Sequence, residues 1–445
     1  MASVQTDAGA DRRQHDPELE ERFRKGHPKP VHGTFRSAGL GLITGAADDD
    51  PSAIGTFATA GARIGPSFLW TAPMAFPMMF ALVYLCSKLG QVAGRGLFQV
   101  IREQYSRPVL YFFLVTSVVG NVIQAAADIG GMAAALNLLV PLPIPLLVVA
   151  ITLTILGLQI WGSYRLIRDV FRWLALALLA YAGSAFLVRP ELLPTLRGTF
   201  IPSIQWNRQF LAMLVAVMGT TLSAYLYSWQ SNQDVEEDIS MGRRRLTDRM
   251  GTTKEELRHS GRDVAFGMLF ASLVMYFIML STASTLFKAG QHEINTAAEA
   301  AQALRPLAGH AAGLLFALGV VGVGFLAVPV MTIGAAYNVC QSFGWRHGLH
   351  VEAAHAKKFY MAIVGFTLLA MGLNFFGINP FKALIFAAIV QGFSTPFLML
   401  VLMLITNSRK IMGQWKNGVA INALGWLTTL TMFAVTIGLV ICWVR

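Results

Sequence analysis

Gly39-Leu40-Gly41-Leu42-Ile43-Thr44-Gly45-Ala46-Ala47-Asp48-Asp49-Asp50-Pro51-Ser52-Ala53-Ile54-Gly55 places three consecutive carboxylates and a proline inside an apolar segment long enough to cross a bilayer. A continuous transmembrane helix does not tolerate this. Pro51 removes a backbone donor, and Ser52 and Gly55 favour irregular backbone, so the stretch predicts a helix broken into two halves near Asp50. Unwinding frees carbonyls to face inward. A carboxylate beside such carbonyls, at membrane depth and near half-helix ends, is the arrangement a cation site requires. Asp is also a good helix N-cap. One acid accounts for a cap and three do not, so the sequence points to Asp50 as a metal ligand, with Asp48 or Asp49 as the cap or as a wall of an aqueous vestibule.

The surrounding chain is of the same kind. Of 445 residues, 55% are hydrophobic and 13% charged, too few charges to coat a soluble globule of this size. Segments of roughly 20 apolar residues, the length that crosses a hydrocarbon core about 30 Å thick, recur throughout. About eleven spans are expected, near 37–62, 66–88, 108–139, 144–161, 167–188, 209–233, 263–287, 311–340, 357–376, 381–405 and 418–444. None has the period-two alternation of a β-barrel strand. The stretch 1–36 is charged and polar, and reads as a short disordered cytoplasmic tail rather than a signal peptide.

Basic residues set the orientation. With the N-terminus cytoplasmic, most of the 35 lysines and arginines fall on the inside, including Arg165, Arg168 and Arg172 and the densest cluster, Arg243, Arg244, Arg245, Arg249, Lys254, Arg258 and Arg262. The positive-inside rule favours this topology in a plasma (inner) membrane, with the C-terminus outside. The net charge of +11 is scattered over short loops and not gathered on one face, which argues against nucleic acid as a partner. Cys86, Cys340 and Cys442 lie far apart in or beside apolar segments and read as small buried hydrophobes.

The sixth span carries a second irregularity. Met218-Gly219-Thr220-Thr221-Leu222-Ser223-Ala224-Tyr225-Leu226-Tyr227-Ser228-Trp229-Gln230-Ser231 crowds small and hydroxylated residues where lipid-facing ones belong. Alone, this describes a helix-packing face. With five spans in each half, however, the first and sixth correspond, and paired interrupted helices at corresponding positions mark the binding site of inverted-repeat transporters.

These motifs resemble those of the natural resistance-associated macrophage protein (Nramp) family of divalent metal transporters. The anchors are Asp50-Pro51-Ser52-Ala53, where the family has Asp-Pro-Gly-Asn, and Gly219-Thr220-Thr221-Leu222-Ser223-Ala224-Tyr225, where it has Gly-Ala-Thr-x-Met-Pro-His. Asp128-Ile129-Gly130-Gly131 ahead of Ala135-Leu136-Asn137-Leu138-Leu139, and Pro396-Phe397 followed by Asn407-Ser408-Arg409-Lys410-Ile411-Met412-Gly413, complete the match. The fold this implies is all-α: a LeuT-like 5+5 inverted repeat with helices 1 and 6 broken, plus one accessory helix. The repeats are expected over 37–188 and 189–405, with a loop and the accessory helix over 406–445.

The departures bear on the ion. The family's ligand set includes the first-span Asp and Asn, a sixth-span carbonyl and the Met thioether; here these positions hold Asp50, Ala53, the Thr220 region and Ser223. The soft ligand is gone. Carboxylate, hydroxyl, carbonyl and water suit hard cations, so the set resembles that of the Nramp-related magnesium transporters and implies carriage of Mg²⁺ and also Mn²⁺. Thr221 is a further candidate, and Gln391 stands near the tenth-span polar ligand position but offset. The family's proton-handling His is replaced by Tyr225, whose ordinary pKa of about 10 makes a poor proton carrier, so flux without obligatory proton coupling is expected. Asp128 holds the place of the third-span acid, either as a protonatable group or as a buried carboxylate paired with a base or hydroxyl. The run Asp234-Val235-Glu236-Glu237-Asp238, followed by Arg243-Arg244-Arg245, reads as a solvated charged loop rather than an acidic helix end that attracts cations.

Other classes fit less well. His292-Glu293-Ile294-Asn295-Thr296 starts like a zinc-protease motif but lacks the second His, and no nucleophile with a base appears in the spans, so enzyme chemistry and a resident cofactor are not expected. A proton-coupled Mn²⁺/Fe²⁺ transporter of the main Nramp type and an organic-solute symporter on the same fold stay as alternatives. The anionic Asp48-Asp49-Asp50 cluster disfavours amino-acid carboxylates as cargo.

Overall fold

The computed structural model describes residues 40–161, 179–188 and 190–444. The expected tail over 1–36, the start of the fifth span and Arg165, Arg168 and Arg172 lie outside the described residues. All regular structure among the described residues is helical. The longer pieces are α1 (Leu40–Asp48), α2 (Pro51–Ile64), α3 (Thr71–Ala93), α4 (Leu97–Gln104), α5 (Arg107–Asn137), α6 (Ile144–Trp161), α7 (Leu179–Val188), α8 (Leu192–Phe200), α9 (Arg208–Thr221), α10 (Ala224–Ser240), α11 (Lys254–Thr282), α12 (Ala312–Phe343), α13 (Lys357–Leu373), α14 (Pro380–Asn407) and α15 (Val419–Val444). Among the described residues, eight helices are long and apolar enough to span a bilayer, counting α9 and α10 as one run; α6 is a shorter apolar helix. The first expected span is divided between α1 and α2, and the described part of the fifth is α7.

Local chemistry sets the ends. Pro51 opens α2 directly after Asp50, where a missing amide costs nothing. Asn207 caps α9 through the Phe210 amide, and a Thr253/Glu256 capping box starts α11 well before its apolar stretch. Both breaks are short. Asp49 and Asp50 separate α1 from α2; Leu222 and Ser223 separate α9 from α10.

Glycines bring the broken helices against unbroken neighbours. A Cβ on Gly41 would collide with the Asp263 backbone, and one on Gly45 with the Gly267 backbone, so α1 meets α11 main chain to main chain. The Gly41 amide also donates to Asp263 Oδ2 at 2.6 Å. Gly219 of α9 touches the backbone of Ala388 and Gly392 on α14 in the same manner. Thus each break sits beside a continuous helix that fixes its height.

Candidate metal site

Asp50 ends the first break and lies fully buried. Its Oδ1 accepts from the Ala53 amide at 2.7 Å and from Ser52 Oγ at 2.7 Å. Its Oδ2 accepts from Gln124 Nε2 at 2.8 Å and from the Tyr225 hydroxyl at 3.0 Å. The four donors come from three separate parts of the chain, and they occupy the carboxylate's ordinary acceptor positions. The helix cap is therefore Asp50 itself, so of the two roles expected for Asp48 or Asp49, cap or vestibule wall, the cap is taken. Capping falls to the residue directly before Pro51 because only its side chain folds back onto the Ala53 amide.

Tyr225 joins the two breaks. From the first turn of α10 its hydroxyl lies 2.8 Å from the Ala47 carbonyl at the end of α1 and 3.0 Å from Asp50 Oδ2. Thr220 Oγ1 is 3.4 Å from Ser52 Oγ across the same gap. Asp128 Oδ1 accepts from the Ser52 amide at 2.9 Å, so α5 holds the start of α2 from the other side. No base pairs with Asp128 among the described residues, and its Oδ2 has no hydrogen-bond partner. Asp50, Ala53, Thr220, Tyr225 and Asp128 thus belong to one connected network.

The other expected residues stand apart from those bonds. Ser223 Oγ donates back to the end of α9, to Thr220 O at 2.6 Å and Gly219 O at 3.2 Å, and Thr221 Oγ1 donates to Val217 O at 2.6 Å. Asp48 and Asp49 are buried, and Asp48 Oδ1 and Asp49 Oδ2 lack hydrogen-bond partners. Buried carboxylate oxygens without donors favour a cation or its water ligands nearby. Gln391 is buried on α14 beside Gly120 of α5, with its Nε2 unpartnered.

Gln124 and Ser52 complete the network and were not among the expected ligands. Gln124 also donates to Ser52 Oγ, and its Oε1 is left without a partner. It precedes Asp128 by one helical turn on the same face of α5. A carboxamide one turn before Asp128 in a membrane-length span is the signal that could have found it.

Below the breaks, a polar seam joins α1 to α10. Thr44 Oγ1 donates to Gln230 Oε1 at 2.6 Å, and Gln230 Nε2 donates to Asp234 Oδ2 at 3.0 Å. Gln91 Nε2 of α3 reaches Asp234 Oδ1 at 3.1 Å. The acidic run from Asp234 to Asp238 is not the solvated charged loop expected, for it lies within α10. Asp234 and Asp238 are buried, and Arg243 ties Asp238 at 2.6 Å to Glu256 at 2.7 Å. Tertiary contact with α3 and α11 removes these acids from water.

The profile of natural resistance-associated macrophage protein-like proteins matches residues 41–442. The chain belongs to the Nramp family. A divalent metal cation transporter MntH of Deinococcus radiodurans is 27% identical over 414 residues, covering 92% of this chain and 90% of that protein. A manganese transporter of Eremococcus coleocola has the same fold, with a TM-score of 0.66 at 19% identity over 92% of this chain and 88% of that one. The nucleobase-cation-symport-1 transporter Mhp1 superposes with a TM-score of 0.55 at 13% identity, covering 93% and 92%. The Nramp chain therefore has the LeuT-like architecture of broken first and sixth helices. It stands among membrane transporters of metal ions and not among enzymes.

Proposed function

We propose that this chain carries divalent metal ions across the membrane by alternating access, with Mg²⁺ favoured, Mn²⁺ also carried, and no obligatory coupling to protons. The observation that carries the reading is the Tyr225 hydroxyl, which bonds both the Ala47 carbonyl and Asp50 and so gathers the two breaks around one buried carboxylate. Asp50, the freed carbonyls near Ala47 and Thr220, and the hydroxyls of Ser52, Thr220 and Ser223 are an all-oxygen set. Hard cations accept such a set, and Mg²⁺ keeps several of its waters while doing so. The unpartnered oxygens of Asp48, Asp49 and Asp128 supply acceptors for those waters. An entering ion displaces Gln124 from Asp50 Oδ2, or reaches the carboxylate through water.

The name and fold of the relatives support divalent cargo, and Ala53 and Ser223 in place of Asn and Met support the preference for a hard ion. Tyr225 as a donor to Asp50, with no histidine at that position, supports flux without proton exchange. The basic cluster at Arg243–Arg245 supports a cytoplasmic N-terminus. The test is uptake into proteoliposomes with Mg²⁺, Mn²⁺ and Cd²⁺ in competition and a lumenal pH dye. Preferred Mg²⁺ uptake with no lumenal acidification is expected. Preference for Mn²⁺ or Cd²⁺ with a stoichiometric pH change would establish the proton-coupled alternative, and absence of metal uptake would leave the organic-solute reading.

A further inference from the structure

The span formed by α9 and α10 runs from Arg208 to Ser240, so the segment leading into Arg208 lies at the end of the bundle opposite Arg243–Arg245. That segment is apolar and uncovered. In α8, Leu192 is 76% exposed, Leu193 78%, Leu196 53% and Phe200 73%. At about 100° per residue these four fall within about 100° of one another, a single stripe along the helix. Gly198, on another side, is buried, and Arg197 and Pro194 are exposed between the two. The helix thus has one face on the protein, one toward water, and an apolar face left open among the described residues.

The stripe continues at both ends into the apolar outside of spanning helices. Phe186 and Leu187, at the end of α7, are exposed. Trp206 is exposed beside Gly438 of α15, a helix whose Ile437, Val440 and Ile441 are exposed as well. Tryptophan is favoured where acyl chains meet headgroups, and an arginine flanking an apolar stripe reaches the headgroups along its own stem. The protein face of α8 is fastened to the end of α2. A Cβ on Gly198 would overlap the Pro66 carbonyl, and Ser203 Oγ donates to Ser67 O at 2.9 Å. The Thr199 and Tyr276 hydroxyls, 3.0 Å apart, tie α8 to α11. Pro66 and Ser67 directly follow α2, the half-helix that Asp50 caps.

We propose that α8, with Trp206 after it, lies in the membrane interface at this end of the bundle, its leucine and phenylalanine stripe seated among phospholipid acyl chains and Arg197 at the headgroups. The bilayer then holds the far end of α2 through Gly198 and Ser203. A second copy of the chain is the poorer occupant, because a helix about 13 Å long presents one row of side chains where a specific protein interface needs about 1,000 Å². The inference does not depend on which ion is carried.

The test places a polarity-sensitive fluorophore on Leu196→Cys or Arg197→Cys of the full chain in phosphatidylcholine nanodiscs, with the parent and its native cysteines treated alike as background. Quenching by lipids bearing a nitroxide on the acyl chain is compared with quenching by aqueous iodide. The label at Leu196→Cys is expected about 5–10 Å into the headgroup–acyl boundary, quenched several-fold more by the nitroxide lipid than by iodide, and the label at Arg197→Cys the reverse. Leu193→Cys, on the same stripe, gives the reading if the first variant does not fold. Equal iodide quenching at the two positions would overturn the proposal by placing the stripe in water. Protection of Leu196→Cys from both quenchers would overturn it by placing protein over the stripe, a second copy of the chain if the particle mass doubles.

Discussion

The two breaks are built from opposite materials. At the first, a charged side chain caps the new half-helix and collects donors from α2, α5 and α10. At the second, Ser223 makes no capping bond, and the hydroxyls of Thr221 and Ser223 turn back to carbonyls of α9. Charge therefore resides at one break and backbone dipoles with hydroxyls at the other. A carboxylate fixed by four donors is strongly positioned, whereas hydroxyls bonded within their own turn adjust at small cost. Binding strength should depend on the first break and ion choice on the second.

The strongest test of that division is Asp50→Asn, which keeps the shape and removes the charge. Metal uptake should fall by about two orders of magnitude or more while the protein stays folded, since a hard dication loses its one directly positioned carboxylate. Near-parental uptake would place the ion elsewhere. Tyr225→Phe comes next. It deletes the hydroxyl shared by Ala47 and Asp50, and hydrogen bonds to charged groups contribute about 1.5–3 kcal/mol, so calorimetry should show metal affinity and melting temperature both reduced. A variant unchanged in both would mean the two breaks do not act together.

Ser223→Met is expected to act on selectivity alone. Affinity should move toward Mn²⁺ or Cd²⁺ relative to Mg²⁺ by about tenfold, or roughly 1.4 kcal/mol, in competition assays. Full transition-metal preference should not return, because Ala53 still stands where the family has Asn. An unchanged order of preference would show that position 223 does not choose the ion. The smallest effect is expected from Thr44→Val, which removes the bond to Gln230 below the breaks. It should cost about 1 kcal/mol in stability and raise the labelling of a cysteine introduced on the α1–α10 seam. Unaltered labelling would mean the seam does not hold these half-helices together.

Much of this was legible in the chain because it is written locally. Span lengths follow from hydropathy, and the first break follows from Pro51 within a membrane-length segment. The second break needed its counterpart, since Gly, Thr and Ser by themselves describe a packing face. What resisted reading were partnerships between distant residues. Gln124 meets Asp50 across 74 positions, and Thr44 meets Gln230 across 186. Which of three adjacent acids becomes the cap is set by Pro51 as the first residue of α2, a reading open to the sequence once the helix start is placed there. The acids Asp234, Glu236 and Asp238 misled because polarity predicts water, but α3, α12 and the Arg243–Glu256 pair engage them.

The contact of Gly41 and Gly45 with α11 has a mechanical consequence. Where two main chains touch with no side chains between them, neither helix can roll or slide without its atoms overlapping the other, so the pair behaves as one stiff lever. On an adjoining face the same half-helix meets α10 through Thr44 and Gln230, groups that water can satisfy equally well once they part. The short arm ahead of Asp50 is thus riveted on one face and latched on the next, and the latch is the weaker of the two holds.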